Sequence, residues 1–289
     1  MLEITKDILK NIYKERPRDS KKYDFGLLIV IGGSDFYSGS PALASMAAFK
    51  AGVDMVRIIA PKRAADIIAS FSPNLAAYPL EGAYLTKKHL ATLLSMTEAA
   101  KAVSKGKTAV VIGGGMGRSD DTQKAIFEFL EQVRVPAVID ADAIHAVGKK
   151  PEIVLGKPFL ITPHTYEFFV LTGKEIYRLS EKEKIKIVQE EANRLKTTIL
   201  LKGPTDIISD GKEVALSKGG SPYMTKGGCG DTLAGICGAL LARGCNPFNA
   251  ACAASFLNKR AGEIVTQKVK DGLTATDLLE AIPEVILEI

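Results

Sequence analysis

The stretch KGGCGDTLAG, residues 226–235, places one carboxylate among three glycines directly before a segment with helical periodicity. Gly227, Gly228 and Gly230 leave consecutive backbone N–H groups free at the start of that helix, which suits an anion such as phosphate. An aspartate beside a bound phosphate is electrostatically unfavourable unless it accepts a proton from a hydroxyl that attacks the phosphate. Asp231 therefore indicates phosphoryl transfer to an alcohol, although a carboxylate here could also simply cap the helix.

Two further glycine-rich clusters follow predicted strands. The first, GGSDFYSGSP at 32–41, could bind an anion through free N–H groups or could be an ordinary loop between a strand and a helix. The second, IGGGMG at 112–117, has enough glycine to let the backbone approach a ligand closely. Its spacing differs from GxGxxG, so it resembles a dinucleotide fingerprint only loosely, and its glycines could also serve the turn alone.

Titratable side chains follow the next two predicted strands. Asp140 and Asp142, in DADAI, would point the same way if the strand continued. They could hold Mg²⁺ indirectly or orient a polar substrate; alternatively, one caps a helix and the other is solvated. His164 and Glu167, in TPHTYE, follow a strand that ends at Pro163. His164 could contact a substrate or phosphate, or it could have a structural role.

Lys202 ends another apolar strand, in LLKGPTD at 200–206. A lysine at the ligand-binding edge of a sheet can neutralise a phosphate, and the alternative is a surface lysine whose stem lies on apolar groups. The chain has no Walker A sequence and no kinase catalytic loop. Phosphoryl transfer here would therefore use neither of those two common designs.

Strands and helices alternate along nearly the whole chain, which predicts a parallel sheet covered by helices on both faces and one domain over 1–289. In such sheets ligands bind beyond the carboxyl ends of the strands, where nearly every cluster above falls. The predicted strands lie in 25–33, 53–61, 108–117, which runs into a glycine turn, 135–144, 158–168, which breaks at Pro163, and 197–216, which has a hairpin at Asp210-Gly211. The predicted helices are 40–52, 62–70, 86–103, 119–133, 180–196, 230–243, 247–268 and 274–288.

Composition excludes several classes of protein. The net charge of +5 is a mild excess over 289 residues, and no basic run with interleaved aromatic residues indicates nucleic-acid binding. The four cysteines form no CxxC pair, so zinc spacing is absent, and with no signal peptide they predict a reducing, cytoplasmic environment. No apolar run approaches the roughly 20 residues of a membrane span, so we expect no membrane association.

The six clusters together resemble the NAD(P)H-hydrate dehydratases of the ribokinase-like superfamily. GCGD at 228–231 is similar to the GxGD signature of that superfamily, whose aspartate is the base. YSGSP, GGGMG, DADAI, TPHTYE, LKGPTD and GCGDTLAG follow the order of the family's YxGAP, GPGLG, DADAL, TPHxxE, LKGxxT and GTGDxLAG. Each motif is weak alone, but six in order over about residues 25–260 are specific.

Four positions depart from the family's pattern. Ser40, Gly114 and Met116 replace alanine, proline and leucine, and Cys229 replaces threonine beside the anion hole. Backbone N–H groups would make the key contacts there, so we expect activity to survive and Cys229 to be a packed rather than a reactive thiol.

The resemblance implies a fold, a reaction and a set of site residues. The fold is α/β and ribokinase-like. The reaction uses ADP or ATP to phosphorylate the hydroxyl of hydrated NADH or NADPH, and departure of the phosphate restores the reduced cofactor. Asp231 would be the base and would also contact the hydrated cofactor. The anion hole would be Gly228, Cys229 and Gly230; the nucleotide would contact Lys202, Gly203, Pro204, Thr205, Asp206 and Gly230; the hydrated cofactor would contact Ser40, Gly117 and His164; and Mg²⁺ would lie, through water, near Asp140, Asp142 or Glu167.

The resemblance also predicts partners and leaves rivals. From the resemblance we expect ADP rather than ATP, and a homo-oligomer. We expect the epimerase to be a separate chain, because only about 24 residues precede the first predicted strand. A small-molecule kinase similar to hydroxyethylthiazole kinase would use the same Asp231 but release a stable phosphorylated product. A nucleotide-sensing module without catalysis would gain nothing from a carboxylate near phosphate. The TPHTYE and YSGSP clusters fit the dehydratase better than the kinase.

Overall fold

The computed structural model describes residues 2–288 and contains a ten-stranded sheet with helices on both faces. The strands are β1 (Leu2–Glu3), β2 (Leu27–Ile31), β3 (Met55–Pro61), β4 (Ala76–Leu80), β5 (Thr108–Ile112), β6 (Ala137–Ile139), β7 (Phe159–Ile161), β8 (Thr198–Leu201), β9 (Asp206–Ser209) and β10 (Val214–Ser217). The helices are α1 (Asp7–Lys10), α2 (Gly39–Lys50), α3 (Lys62–Phe71), α4 (Leu90–Val103), α5 (Asp120–Gln132), α6 (Asp142–Gly148), α7 (Thr165–Thr172), α8 (Glu181–Leu195), α9 (Cys229–Ala242), α10 (Pro247–Val269) and α11 (Ala275–Leu287). In residues 2–288, no helix combines the length and hydrophobicity that a membrane crossing needs.

The strand order creates a point at which the chain changes direction across the sheet. The order is β1-β10-β9-β8-β7-β6-β5-β2-β3-β4, and all neighbours are parallel except β9, which is antiparallel to β8 and β10. From β2 the chain runs outward through β3 and β4, then returns to place β5 on the other side of β2. The chain therefore leaves β2 and β5 toward opposite faces of the sheet, to α2 and to α5, and open sheets bind ligands in the crevice at such a point.

The sheet is buried on both faces, which explains the continuous apolar runs of its central strands. In β2, Leu28 and Val30 pack into the layer that contains α2, α9, α10 and α11. Leu27, Ile29 and Ile31 point the other way, into the layer that contains α4 to α8. The prediction of a mostly parallel sheet with helices on both faces is confirmed.

Two predicted strands are each followed by a helix that the sequence analysis missed. The predicted strand 135–144 ends at Ile139, and Ala141 takes a left-handed φ of 47° before α6 begins. The strand predicted in 158–168 to break at Pro163 ends at Ile161, and α7 begins at Thr165. In both cases polar and apolar residues are mixed after the strand, as they also are in a strand with one exposed face, so hydrophobicity alone did not reveal the helix.

The edge strand β4 was not predicted. Its sequence, AAYPL, is mostly exposed and includes Pro79, which an edge strand tolerates because one side of it makes no ladder hydrogen bonds. The hairpin predicted at Asp210-Gly211 is present between β9 and β10.

The contact between α2 and α9 depends on Gly235, since a Cβ at that position would overlap the backbone carbonyl of Ala44. Backbone atoms cannot rotate away, so Gly235→Ala is expected to force the helices apart and lower the free energy of unfolding by about 1–3 kcal/mol. Urea denaturation measures this difference. The control is Gly272→Ala, whose new methyl would meet Val269 Cβ at an ordinary 3.7 Å and should change stability by no more than about 0.5 kcal/mol. Equal midpoints for the two variants would contradict the prediction.

Candidate active site

The glycine loops after β2 and β5 meet at the carboxyl edge of the sheet, beside the N-terminus of α9. The N–H of Gly33 donates to the carbonyl of Gly114 at 2.8 Å, which joins the two loops. A Cβ at Gly114 would lie 2.6 Å from Ser40 Cβ and 3.0 Å from Asp231 Oδ1. Only glycine therefore lets this loop lie against the predicted base, and the structure brings Ser40, Gly114 and Asp231 together.

The N-terminus of α9 is formed by backbone rather than by a capping side chain. Gly228 has a left-handed φ of 97°, and a Cβ there would lie 2.6 Å from Ala275 Cβ and 2.7 Å from Leu43 Cδ1. The helix that follows has 14 residues, so the N–H groups and dipole of its first turn favour an anion at this end.

Cys229 is buried in the first turn of α9. Burial raises the pKa of its thiol above the ordinary value. A neutral, packed thiol is a poor nucleophile, so its chemical environment favours a packing role.

Asp231 lies in an environment that disfavours its charged form. Burial and the neighbouring carboxylate of Asp140 raise the pKa of Asp231 to about 7, while a hydrogen bond from Ser40 and the ammonium of Lys202 act in the opposite direction. A carboxyl group with this pKa can accept a proton near neutral pH and is matched to general base catalysis.

Lys202 is the centre of a partly buried charge cluster and not a surface lysine. Its Nζ lies 2.8 Å from Asp140 Oδ1 and 3.6 Å from Glu167 Oε2. The Thr162 hydroxyl donates to the same oxygen of Asp140 at 2.8 Å. Burial would lower the pKa of Lys202, but Asp140 and Glu167 outweigh it and raise the pKa above its ordinary value. The cluster therefore keeps a positive charge near Asp231.

His164 and Glu167 form the cap of α7. The Nδ1 atom of His164 accepts from the N–H groups of Tyr166 and Glu167 at 3.1 and 3.3 Å, and Glu167 Oε2 accepts from the N–H of His164 at 2.9 Å. This is a capping box in which a histidine replaces the usual serine or threonine. Because 52% of the His164 side chain is exposed, the ring can cap the helix and still face a ligand.

The family model for NAD(P)H-hydrate dehydratase matches residues 28–284 of this chain. The chain belongs to the NAD(P)H-hydrate dehydratase family. The match confirms the resemblance drawn from the six motifs. The matched range contains every site residue described above.

Relatives of two lengths support the membership. The chain is 40% identical to the bifunctional NAD(P)H-hydrate repair enzyme of Pyrobaculum aerophilum, over 94% of this chain and 52% of that protein. It is 34% identical to the ADP-dependent (S)-NAD(P)H-hydrate dehydratase of Nitrosopumilus maritimus, over 98% of this chain and 96% of that protein. The chain thus spans about half the length of the bifunctional relatives and nearly all of the shorter one.

Solved structures show the same fold. A ribokinase-like superfamily protein of Enterococcus faecalis has a TM-score of 0.85 at 24% identity, covering 99% of this chain and 95% of that one. The ADP/ATP-dependent NAD(P)H-hydrate dehydratase of Bacillus subtilis has a TM-score of 0.82 at 24% identity, covering 99% and 98%. The ribokinase-like fold of this dehydratase family member is therefore confirmed.

Asp142 does not share the direction of Asp140, because the strand ends before the turn at Ala141. Its Oδ2 accepts from the N–H of Gly117 at 2.9 Å, and its Oδ1 lies 2.8 Å from Arg118 Nε. Both oxygens are engaged away from Lys202. The two aspartates were expected to point the same way only if the strand continued; it does not, and Asp142 instead holds the end of the second glycine loop.

This bond gives a test of the loop in the family's substrate region. Asp142→Ala frees Gly117, so we expect the KM for hydrated dinucleotide to rise about tenfold with a smaller change in kcat. Steady-state kinetics measure both. The control is Asp120→Ala: Asp120 is 85% exposed and pairs with Lys149, so kinetics should match the wild type. A fall in kcat at unchanged KM would contradict this role for Asp142.

Asp206 lies under the predicted nucleotide loop and not on its surface. Its Oδ1 accepts from the N–H of Gly203 at 2.9 Å and its Oδ2 from the hydroxyl of Ser255 at 2.6 Å. Gly203 and Pro204 are exposed and Thr205 is half-buried. The predicted direct contact of Asp206 with the nucleotide therefore does not fit: its carboxylate shapes the loop that the other residues present.

Two groups of residues were missed by the sequence analysis. Tyr37 and Tyr84 flank the second glycine loop; a Cβ at Gly115 would lie 2.6 Å from the Tyr37 ring, and one at Gly117 would lie 3.8 Å from the Tyr84 ring. The other group lies on α10: Ser255, Asn258, Lys259 and Glu263. Polar residues at spacings of three, four and eight in an otherwise alanine-rich, buried helix were the available signal.

The acidic residues do not form a direct metal cage. Among residues 2–288, no group of three or more His, Cys, Asp or Glu side chains has the arrangement to hold a metal ion. Asp140 and Glu167 both pair with Lys202, whereas Asp142 pairs with Arg118. Any fit to Mg²⁺ through water therefore rests on Asp140 and Glu167.

Proposed function

We propose that this protein dehydrates the S form of hydrated NADH or NADPH, with ADP as the phosphate donor. The observation that carries the proposal is the position of Asp231, with its pKa raised to about 7, at the N-terminus of α9. Relatives named as ADP-dependent (S)-NAD(P)H-hydrate dehydratases, 34% and 35% identical and aligned over 96% of their own lengths, support the choice of reaction and of ADP.

The chemistry converts a poor leaving group into a good one. The hydroxyl of the hydrated nicotinamide loses its proton to Asp231 as its oxygen attacks the terminal phosphorus of ADP, and the bond from that phosphorus to AMP breaks. The C–O bond of the resulting phosphate ester then breaks, phosphate leaves, and loss of a ring proton restores the double bond. Asp231 contributes as base, and the first turn of α9 stabilises the transferred phosphoryl group.

The remaining residues position the two substrates. Gly203, Pro204 and Thr205 present the exposed loop that we assign to ADP, with Lys202 as the nearby positive charge. We assign the hydrated cofactor to the region bordered by Ser40, Gly117 and His164. The rings of Tyr37 and Tyr84 flank the second glycine loop, which contains Gly117. Mg²⁺, held through water near Asp140 and Glu167, would neutralise charge on the phosphates.

The decisive experiment mixes hydrated NADH with the protein, Mg²⁺ and either ADP or ATP. Return of the absorbance of reduced nicotinamide measures dehydration, and formation of AMP or ADP identifies the donor. We expect recovery with ADP and AMP formation in equal amount. No recovery with either nucleotide, in protein that binds both, would overturn the proposal in favour of the small-molecule kinase. The fold leaves room for that outcome, because hydroxyethylthiazole kinase of Pyrococcus horikoshii has a TM-score of 0.59.

We further propose that the protein forms a homo-oligomer and acts beside an epimerase that interconverts the two forms of the hydrate. The bifunctional names of the relatives that are about twice as long support this link.

A further inference from the structure

One face of α10 contacts two loops that approach the proposed ADP site. The first loop is 203–206, between β8 and β9, and the second is 218–220, just after β10. Ser255 donates to Asp206 at the base of the first loop, and the N–H of Gly220 in the second loop donates to Glu263 at 2.8 Å. Lys259 lies between these two contacts on the helix surface, one turn from each.

The ammonium of Lys259 contacts both loops at once. Its Nζ lies 3.0 Å from the carbonyl oxygen of Gly203, 2.8 Å from that of Pro204 and 3.4 Å from that of Gly219. Asp206 Oδ1 is 3.5 Å away. Lys259 is 9% exposed, so water does not compete freely for these four oxygens.

This ligand set has the chemistry of a cation site. An ammonium has three N–H donors and no acceptor, so the three carbonyls use its hydrogen bonds and Asp206 balances its charge. Three carbonyl oxygens and one carboxylate around a single positive charge would also suit a free monovalent cation, which prefers oxygen ligands. Carbonyl oxygens carry partial negative charge, so those of the two loops repel each other when they converge on one point. A cation between them offsets this repulsion and allows the loops to lie close together.

Both loops lead directly to catalytic groups. Loop 203–206 continues from Lys202, and loop 218–220 leads through a short 3₁₀ turn to the anion hole at 228–230. Their spacing therefore affects the distance between the positive charge of Lys202 and the N-terminus of α9, where the proposed ADP phosphates would lie.

We propose that Lys259 is a tethered cation that fixes the spacing of loops 203–206 and 218–220, in the position that a free ammonium or potassium ion would occupy without it. The effect on ADP rests on the proposed function; the effect on the loops does not. Lys259 is thus a positioning residue for the nucleotide site.

A pair of variants separates the charge from the space that the side chain fills. Lys259→Ala opens a cavity that a small cation can enter, and Lys259→Met fills it with an apolar chain. Hydrogen exchange without nucleotide should show faster exchange of 203–206 and 218–220 in both variants. Ammonium chloride should restore slow exchange in Lys259→Ala but not in Lys259→Met, and tetramethylammonium at equal ionic strength should restore neither.

The same pattern is expected in the ADP kinetics. The KM for ADP should rise about 10- to 100-fold in both variants with a smaller change in kcat, and ammonium should lower it again only in Lys259→Ala. Lys218→Ala is the matched control, since Lys218 is the exposed first residue of the second loop and its side chain pairs with Glu3, away from loop 203–206, and it should behave as wild type.

Three results would overturn the inference: unchanged exchange in both loops, equal rescue of the two variants, or failure of both to fold. The last would mean that Lys259 supports the whole fold and not these loops. If ammonium restores slow exchange in Lys259→Ala but the wild type has no dehydratase activity, the tethered cation is retained and the proposed function is rejected.

Discussion

Replacing Asp231 by asparagine is expected to lower kcat for dehydration by about 10²- to 10⁴-fold, because the amide cannot accept the proton of the attacking hydroxyl. Asparagine keeps the size of the side chain and removes a negative charge beside the proposed phosphate site. ADP should therefore bind to the variant as tightly as to the wild type or more tightly. Isothermal titration with ADP and a turnover assay on the same preparation measure the two effects.

The pH dependence of the wild type tests the same assignment. The base must be deprotonated, and burial with Asp140 raises the pKa of Asp231 to about 7. The value of kcat/KM should therefore rise with pH through about 7 and level off above it, and the Asp231→Asn variant should lose that step. A variant that retained both turnover and the step would show that another group is the base.

Replacing Lys202 by methionine is expected to have the largest effect on stability. The change leaves the buried carboxylate of Asp140 without its partner at 2.8 Å and removes the cation beside Glu167. Breaking such a pair from one side should lower the free energy of unfolding by about 3–5 kcal/mol at neutral pH. Because Lys202 also opposes the rise in the pKa of Asp231, any remaining activity should need a higher pH.

The double variant Lys202→Met, Asp140→Asn is the control for this prediction. It removes the uncompensated charge of Asp140 while keeping the shape of the side chain, so it should recover part of the lost stability in urea denaturation. The pKa of Asp231 should also be lower in the double variant than in Lys202→Met, because Asp140 is the main charged group that raises it. If the single and double variants unfold at the same urea concentration, the loss does not come from the unpaired carboxylate.

The pattern of local signals was enough to predict the fold and the helix N-terminus at which Asp231 lies. Alternating apolar runs and amphipathic segments specify a parallel sheet between helix layers, since each strand must be buried on both faces. The glycines around Asp231 specify a helix N-terminus without side chains over it. Both properties depend on neighbours in the chain, so periodicity and residue type reveal them.

The ends of strands were harder to predict. After Ile139 and again after Ile161 polar and apolar residues are mixed, and the turn from strand to helix depends on one residue with a positive φ, Ala141, or on Pro163. The separation of Asp142 from Asp140 follows from the first of these turns. An alternating strand pattern cannot predict this turn, because one residue with a positive φ, Ala141, makes the turn without changing the alternation.

What the sequence by itself determined is the set of chemical groups at the carboxyl edge of the sheet: a carboxylate in GCGD, a lysine after β8, and acidic residues after β6 and β7. Only the tertiary structure decided which of them meet. Lys202 pairs with Asp140 across 62 positions of sequence, and Lys259 reaches Gly203 across 56. Such pairs form because a buried charge is costly unless it is paired and hydrogen-bonded, and burial is a property of the packed chain rather than of any segment.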